Sequence, residues 1–127
     1  MSYQKLIIIG NLGRDPEMRY TPDGRANTTF SVAESRKVDG KDNTTWFRVS
    51  VWNNQAELCN QYLKKGSRVL VEGRLNPDKN TGAPKVFQKK DGSWGSSYEV
   101  TADTVRFLSS RDEGAPSEQL TDEEVPF

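Results

Sequence analysis

The sequence predicts an all-β fold: a small five-stranded barrel carrying one helix, followed by a disordered acidic C-terminal tail. Three observations predict it. Short apolar, β-branched segments recur along the chain with Gly, Pro, Asn and Asp turn signals between them. One stretch near residues 53 to 64 instead carries apolar residues at helical spacing. Gly10 and Gly13 fall inside or just after the first apolar run, where a small barrel needs a bulge or sharp bend to close.

Leu6-Ile7-Ile8-Ile9 opens the fold as a strand apolar on both faces. One face fills the barrel, and the other calls for a cover such as a second subunit. Met18 to Tyr20 leads into Thr21-Pro22-Asp23-Gly24, where proline pre-sets a turn and glycine takes the positive φ. Ala26 to Glu34 alternates Thr28, Phe30 and Val32 with Asn27, Thr29 and Ser31, the pattern of a half-buried strand. A polar tip over residues 36 to 43, centred on Asp39-Gly40, joins it to a returning strand from Thr44 to Trp52.

Asn53 or Asn54 is a suitable helix cap, with Leu58, Cys59, Tyr62 and Leu63 on one face, an end at Lys64 and Gly66 beyond it. Ser67 to Leu75 forms the next strand, with Val69 and Val71 facing inward. Residues 76 to 95, rich in Gly, Pro, Lys and Asp, read as a long loop or hairpin extension, and Ser96 to Phe107 closes the barrel. Three strands, a helix between the third and fourth, then further strands is the order of an oligonucleotide-binding fold, a partly open Greek-key barrel.

Composition narrows the function. At 127 residues there is room for one domain and a tail. Histidine is absent and Cys59 is the single cysteine, which excludes an intrachain disulfide, Cys/His metal sites of the usual spacings and histidine-activated nucleophiles. No phosphate-binding glycine loop or paired-acid motif stands out. The sequence therefore points to a binding protein rather than an enzyme, with no cofactor and no metal. The longest apolar run is too short for a membrane span or signal sequence, which suggests a reducing cytoplasm. Cys59, on the helix's core side, reads as a small buried hydrophobe.

The formal net charge of zero hides a division. Residues 1 to 110 hold 17 Lys and Arg against 12 Asp and Glu, a net +5, while residues 111 to 127 hold Arg111 against six acids, a net −5. A basic body suits a polyanion.

Strand parity puts Trp46, Arg48, Ser50 and Trp52 on one face and Phe47, Val49 and Val51 on the other. The second face serves the core, leaving two indoles about 20 Å apart beside a guanidinium. Single-stranded nucleic acid uses this combination, stacking bases on aromatics while cations neutralise phosphates. The alternative is that either tryptophan lies in a subunit interface or under the long loop, and that Arg48 serves a surface ion pair. Lys5, Arg19, Arg36, Lys65, Arg74 and Lys79 are further candidate phosphate contacts, several of which could equally be solvated. Trp94 has three open uses: stacking on a base, packing on the barrel, or joining a neighbour.

Asp122-Glu123-Glu124-Val125-Pro126-Phe127 cannot fold alone: the acids repel, Pro126 donates no backbone hydrogen bond, and Phe127 has no core to join. An aromatic next to a terminal carboxylate suits a basic, hydrophobic groove on another protein. A merely solubilising tail is the alternative.

The chain closely resembles the bacterial and phage single-stranded DNA-binding protein family. The resemblance rests on Gly10-Asn11-Leu12-Gly13-Arg14-Asp15-Pro16-Glu17, Arg19-Tyr20 with Gly24, Trp46-Phe47-Arg48-Val49, Tyr62-Leu63-Lys64-Lys65-Gly66 and Val71-Glu72-Gly73-Arg74-Leu75, and on the acidic end. It implies a DNA-binding domain over residues 1–108, a flexible linker over 109–121 and a tip over 122–127 that recruits replication, recombination and repair proteins. It also implies a homotetramer. It places Trp46 and Trp52 on aromatic DNA-stacking positions. Two positions depart from the pattern: Arg36 and Asn80 stand where an aromatic is common, and Trp94 or Phe87 is a candidate to compensate. A primosome-type protein-interaction barrel and an RNA-binding barrel are the rival readings.

Overall fold

A computed structural model describes residues 1–108; the expected linker and acidic tip lie outside the described residues. Seven strands and one helix follow in the order β1 (Leu6–Leu12), β2 (Glu17–Tyr20), β3 (Ala26–Val38), β4 (Lys41–Trp52), α1 (Asn53–Tyr62), β5 (Arg68–Leu75), β6 (Lys85–Gln88) and β7 (Trp94–Phe107). Hydrogen bonding runs β1-β5-β7-β4-β3, and β1 returns to β3 through Asn11↔Ala33 and Leu12↔Val32. This closes a five-stranded barrel. β4 and β7 pair in parallel, the other neighbours antiparallel. β2 continues along the same edge of β3 that β1 leaves, and β6 is an outlying hairpin partner of β7.

The barrel forms because alternation holds along each strand. Ile8 and Leu12 of β1, Phe30 and Val32 of β3, Val49 and Val51 of β4, Val69 and Val71 of β5, and Val100 of β7 make one buried cluster. Thr28, wholly buried on β3, is satisfied by donating its hydroxyl to the Ala56 carbonyl at 2.7 Å, which ties α1 to the barrel. Gly73 lets β5 cross β7 at a register shift: a β-carbon there would lie 2.1 Å from the Thr101 carbonyl oxygen. Backbone cannot yield as a side chain tip can. Gly73→Ala is therefore expected to cost about 1–3 kcal/mol, as overpacking does, read as a lowered urea midpoint.

Two elements differ from expectation, the β3–β4 tip and helix α1, while residues 76 to 95 take one of the two forms expected. The β3–β4 tip is not eight polar residues but two, Asp39 (φ 54°) and Gly40 (φ 78°), with the strands paired out to Val38↔Lys41. Two positive φ angles match the right-handed twist of a hairpin. The residue preceding α1 is Trp52, with no side-chain cap, and the helix ends at Tyr62, short of Lys64. Its buried face is Ala56 and Cys59, continued by Leu63, while Leu58 and Tyr62 point outward. Tyr62 instead meets Phe107, ring centroids 6.2 Å apart. Residues 76 to 95 fold as a hairpin extension, β6 pairing with β7 from Lys85↔Ser97 to Gln88↔Trp94.

Candidate nucleic-acid interface

The β3–β4 register builds the surface row by row. Trp52 stands opposite Asn27, Ser50 opposite Thr29, Arg48 opposite Ser31 and Trp46 opposite Ala33. β2 extends two rows, Arg19 beside Asn27 and Glu17 beside Thr29. Between the two indoles the outer face thus carries the short side chains of Thr29, Ser31 and Ser50, with Arg48 beside them. The result is a shallow trough bounded by aromatics at both ends.

Each tryptophan has a specific seat. Trp46 is 52% exposed, and its ring lies against Gly13: a β-carbon on Gly13 would fall 2.6 Å from Trp46 Cζ3. The Gly13 N–H donates to the Ser31 carbonyl at 3.0 Å, which fixes that seat beside β3. Trp52 is half-buried, and the Arg25 guanidinium sits over it, 4.5 Å from the ring centroid. A cation over an indole face is attractive. One face of Trp52 is therefore already occupied, and an incoming base must share or displace Arg25. Arg25 follows the 21–24 turn, closed by Thr21 N–H to Arg25 carbonyl and Gly24 N–H to Thr21 carbonyl bonds. In that turn the Thr21 hydroxyl hydrogen-bonds the Asp23 carboxylate and holds it below the usual carboxylate range.

The sequence of residues 3–108 matches the single-strand binding protein family. This chain belongs to that family. It is 39% identical to a single-stranded DNA-binding protein of Neisseria meningitidis serogroup A over 127 residues, covering 94% of this chain and 69% of that protein. Single-stranded DNA-binding proteins of Helicobacter hepaticus (36% over 117 residues, 88% and 65% covered) and Wolinella succinogenes (39% over 114 residues, 86% and 66%) are similar. The chain spans about two thirds of the length of these relatives.

Within this family member, the other candidates separate into groups. Arg48 lies exposed on the trough and Arg19 on its β2 margin, and neither makes an ion pair among the described residues. Lys65 lies near Trp46's seat, because its N–H donates to Asp15 at 2.8 Å in the loop after Gly13. Arg36, on the β3–β4 arm, is held by Glu34 through Nε and an Nη at 3.2 and 3.0 Å. Lys5 and Arg74 are not brought to the trough. They line a second groove with Tyr3, Asn76 and Asp103, and Lys5 pairs with Glu72 at 3.5 Å. Lys79 and Asn80 sit in a turn where Asp78 accepts the Asn80 N–H at 2.8 Å.

Phe87 lines the same open groove as Trp46 and Arg48, between the β3–β4 arm and the β6–β7 hairpin. Trp94 does not: it pairs with Gln88, one residue out of phase with Phe87, and so takes the opposite face of that hairpin, 67% exposed. Sequence reasoning missed Arg25 entirely. Cys59 is buried, and desolvation pushes its thiol up to about 12, which suits a packing role. No helix among the described residues is long and apolar enough to cross a membrane.

Proposed function

We propose that this chain binds single-stranded DNA without sequence preference and protects it during replication, recombination and repair. The observation that carries this reading is the trough itself. Two indoles in fixed seats bound a floor of small residues, and between them lies Arg48, which makes no ion pair among the described residues. Stacking is tolerant of base identity because every base has a π face, while cations track the phosphates. Lys65 lies at the Trp46 end of this face, Arg48 between the indoles and Arg19 at the Trp52 end. Arg36 reaches phosphate only by leaving Glu34, a surface pair worth little.

We infer that the chain acts as a homo-oligomer, with the tetramer as the assembly its resemblance to the family implies. Ile7 is 58% exposed and Ile9 half-buried on the outer face of β1, and β1 pairs with β3 only at Asn11 and Leu12. Leu6 to Gly10 therefore offer an apolar face and, on the side away from β5, a backbone edge without a partner among the described residues. A second copy covers both.

The tip, Asp122 to Phe127, recruits replication, recombination and repair proteins. Its charge opposes that of the body, so it also competes for the DNA surface. Removing residues 111 to 127 should tighten DNA binding at low salt and change little at high salt, where screening already silences the tail. Equal affinities at low salt with and without the tail contradict this.

Fluorescence anisotropy with labelled oligo-dT, the matched RNA oligomer and a duplex tests the function. The reading expects oligo-dT to bind most tightly, with log K falling linearly against log salt. Preference for RNA would move the assignment to an RNA-binding barrel. Binding to none of the three would leave a protein-interaction barrel.

A further inference from the structure

We propose that Arg25 is a releasable cation, resting on the Trp52 indole until a base stacks there and then moving to a DNA phosphate; the inference rests on the reading of this face as a single-stranded DNA surface. Arg25 immediately precedes β3 and shares strand parity with Asn27 and Thr29, which puts its side chain on the outer face of the sheet. Asn27 stands opposite Trp52, and the guanidinium reaches diagonally to the ring, 4.5 Å from its centroid. One residue pins the Arg25 main chain from both sides. The Arg25 N–H donates to the Thr21 hydroxyl at 3.0 Å, and the Arg25 carbonyl accepts the Thr21 N–H at 2.9 Å. The same hydroxyl donates to the Asp23 carboxylate, which closes the turn around it. With the main chain held, release from the ring is a side-chain movement alone.

Only the indole holds the guanidinium. Arg25 is exposed, and its guanidinium makes no hydrogen bond or ion pair among the described residues. A cation–π contact at an exposed site is worth less than a base stacked on an aromatic ring, so the base takes the ring. The displaced guanidinium keeps its charge. A nucleotide stacked on Trp52 brings its phosphates to the edge of the ring, where an arginine rooted beside it pairs with them through charge-assisted hydrogen bonds. Trp46 has no counterpart, since no cation lies over its ring among the described residues. The two indoles are therefore unequal: Trp46 is a standing platform, whereas Trp52 couples stacking of a base to neutralisation of one phosphate.

The test measures oligo-dT affinity from about 0.05 to about 1 M salt for the full-length wild type, Arg25→Ala, Arg25→Lys, Trp52→Ala and the Arg25→Ala/Trp52→Ala double variant, with circular dichroism melts beside each titration. Arg25→Ala loses one phosphate contact, so its slope of log K against log salt should be shallower by about 0.7. It also clears the ring. At high salt, where phosphate contacts count least, it should therefore bind about 2- to 5-fold more tightly than wild type. At low salt it should bind more weakly, so the two lines cross. Arg25→Lys keeps the charge and should restore the wild-type slope. In the double variant the shallower slope should persist relative to Trp52→Ala, while the high-salt gain disappears with the indole. Parallel or coincident lines for Arg25→Ala and wild type overturn the inference, because the cation then meets no phosphate. A lower line with no crossing overturns it too, because Arg25 is then an ordinary phosphate contact that never obstructs the ring. If the wild type itself does not bind oligo-dT, the DNA reading fails and the inference falls with it.

Discussion

Trp46→Ala weakens oligo-dT binding about 5- to 150-fold, the range that follows from losing one base stack worth roughly 1–3 kcal/mol. The barrel remains folded, because the buried cluster of Phe30, Val32, Val49, Val51, Val69, Val71 and Val100 does not include Trp46. The indole is half-exposed on a glycine seat, so its removal uncovers Gly13 without opening a core cavity. Trp52→Ala also weakens binding, but by less. Part of the Trp52 face is taken by Arg25, and a base gains there only what exceeds the cation–π contact it displaces. Circular dichroism melts beside the titrations separate loss of binding from loss of fold. Unchanged curves for both variants would remove the stacking model.

On the proposed role of the tip, deletion of Phe127 is expected to abolish capture of replication and repair enzymes while leaving DNA affinity unchanged. The ring is the largest apolar group of the tip. Aromatic anchors of this kind carry a disproportionate share of binding energy. A pull-down with immobilised wild-type and shortened proteins checks this. Equal recovery of partner enzymes would show that the acids alone, or another surface, do the recruiting.

The architecture was legible where side-chain period and burial agree. Thr28, Phe30 and Val32 alternate inward as expected, as do Val49, Val51, Val69 and Val71, because each strand has one face against the core. The same parity placed Trp46, Arg48 and Trp52 on one outer face. Helix detail was less legible. Leu58 and Tyr62 are apolar at helical spacing, but the buried stripe is Ala56, Cys59 and Leu63, at i, i+3 and i+7, so the phase in which the helix docks, rather than side-chain hydrophobicity, chose the buried residues.

Arg25 was missed because its contact depends on register. The signal was present in Asp39-Gly40: read as a two-residue hairpin turn, it fixes Val38 opposite Lys41 and, by counting back, Asn27 opposite Trp52. Arg25 then falls beside the indole. By contrast, nothing local brings Phe87 to Trp46. They line one groove because β7 pairs in parallel with β4 and also carries β6, a long-range consequence of barrel closure.

The central claim, that DNA is held by stacking on this outer face, is tested most directly by intrinsic tryptophan fluorescence during titration with oligo-dT. The chain has three tryptophans, and Trp94 lies on the opposite face of its hairpin from the groove. The account predicts strong, saturable quenching in the wild type and loss of most of it in the Trp46→Ala/Trp52→Ala double variant. Absence of quenching at saturating oligo-dT, or full quenching retained by the double variant, would contradict it.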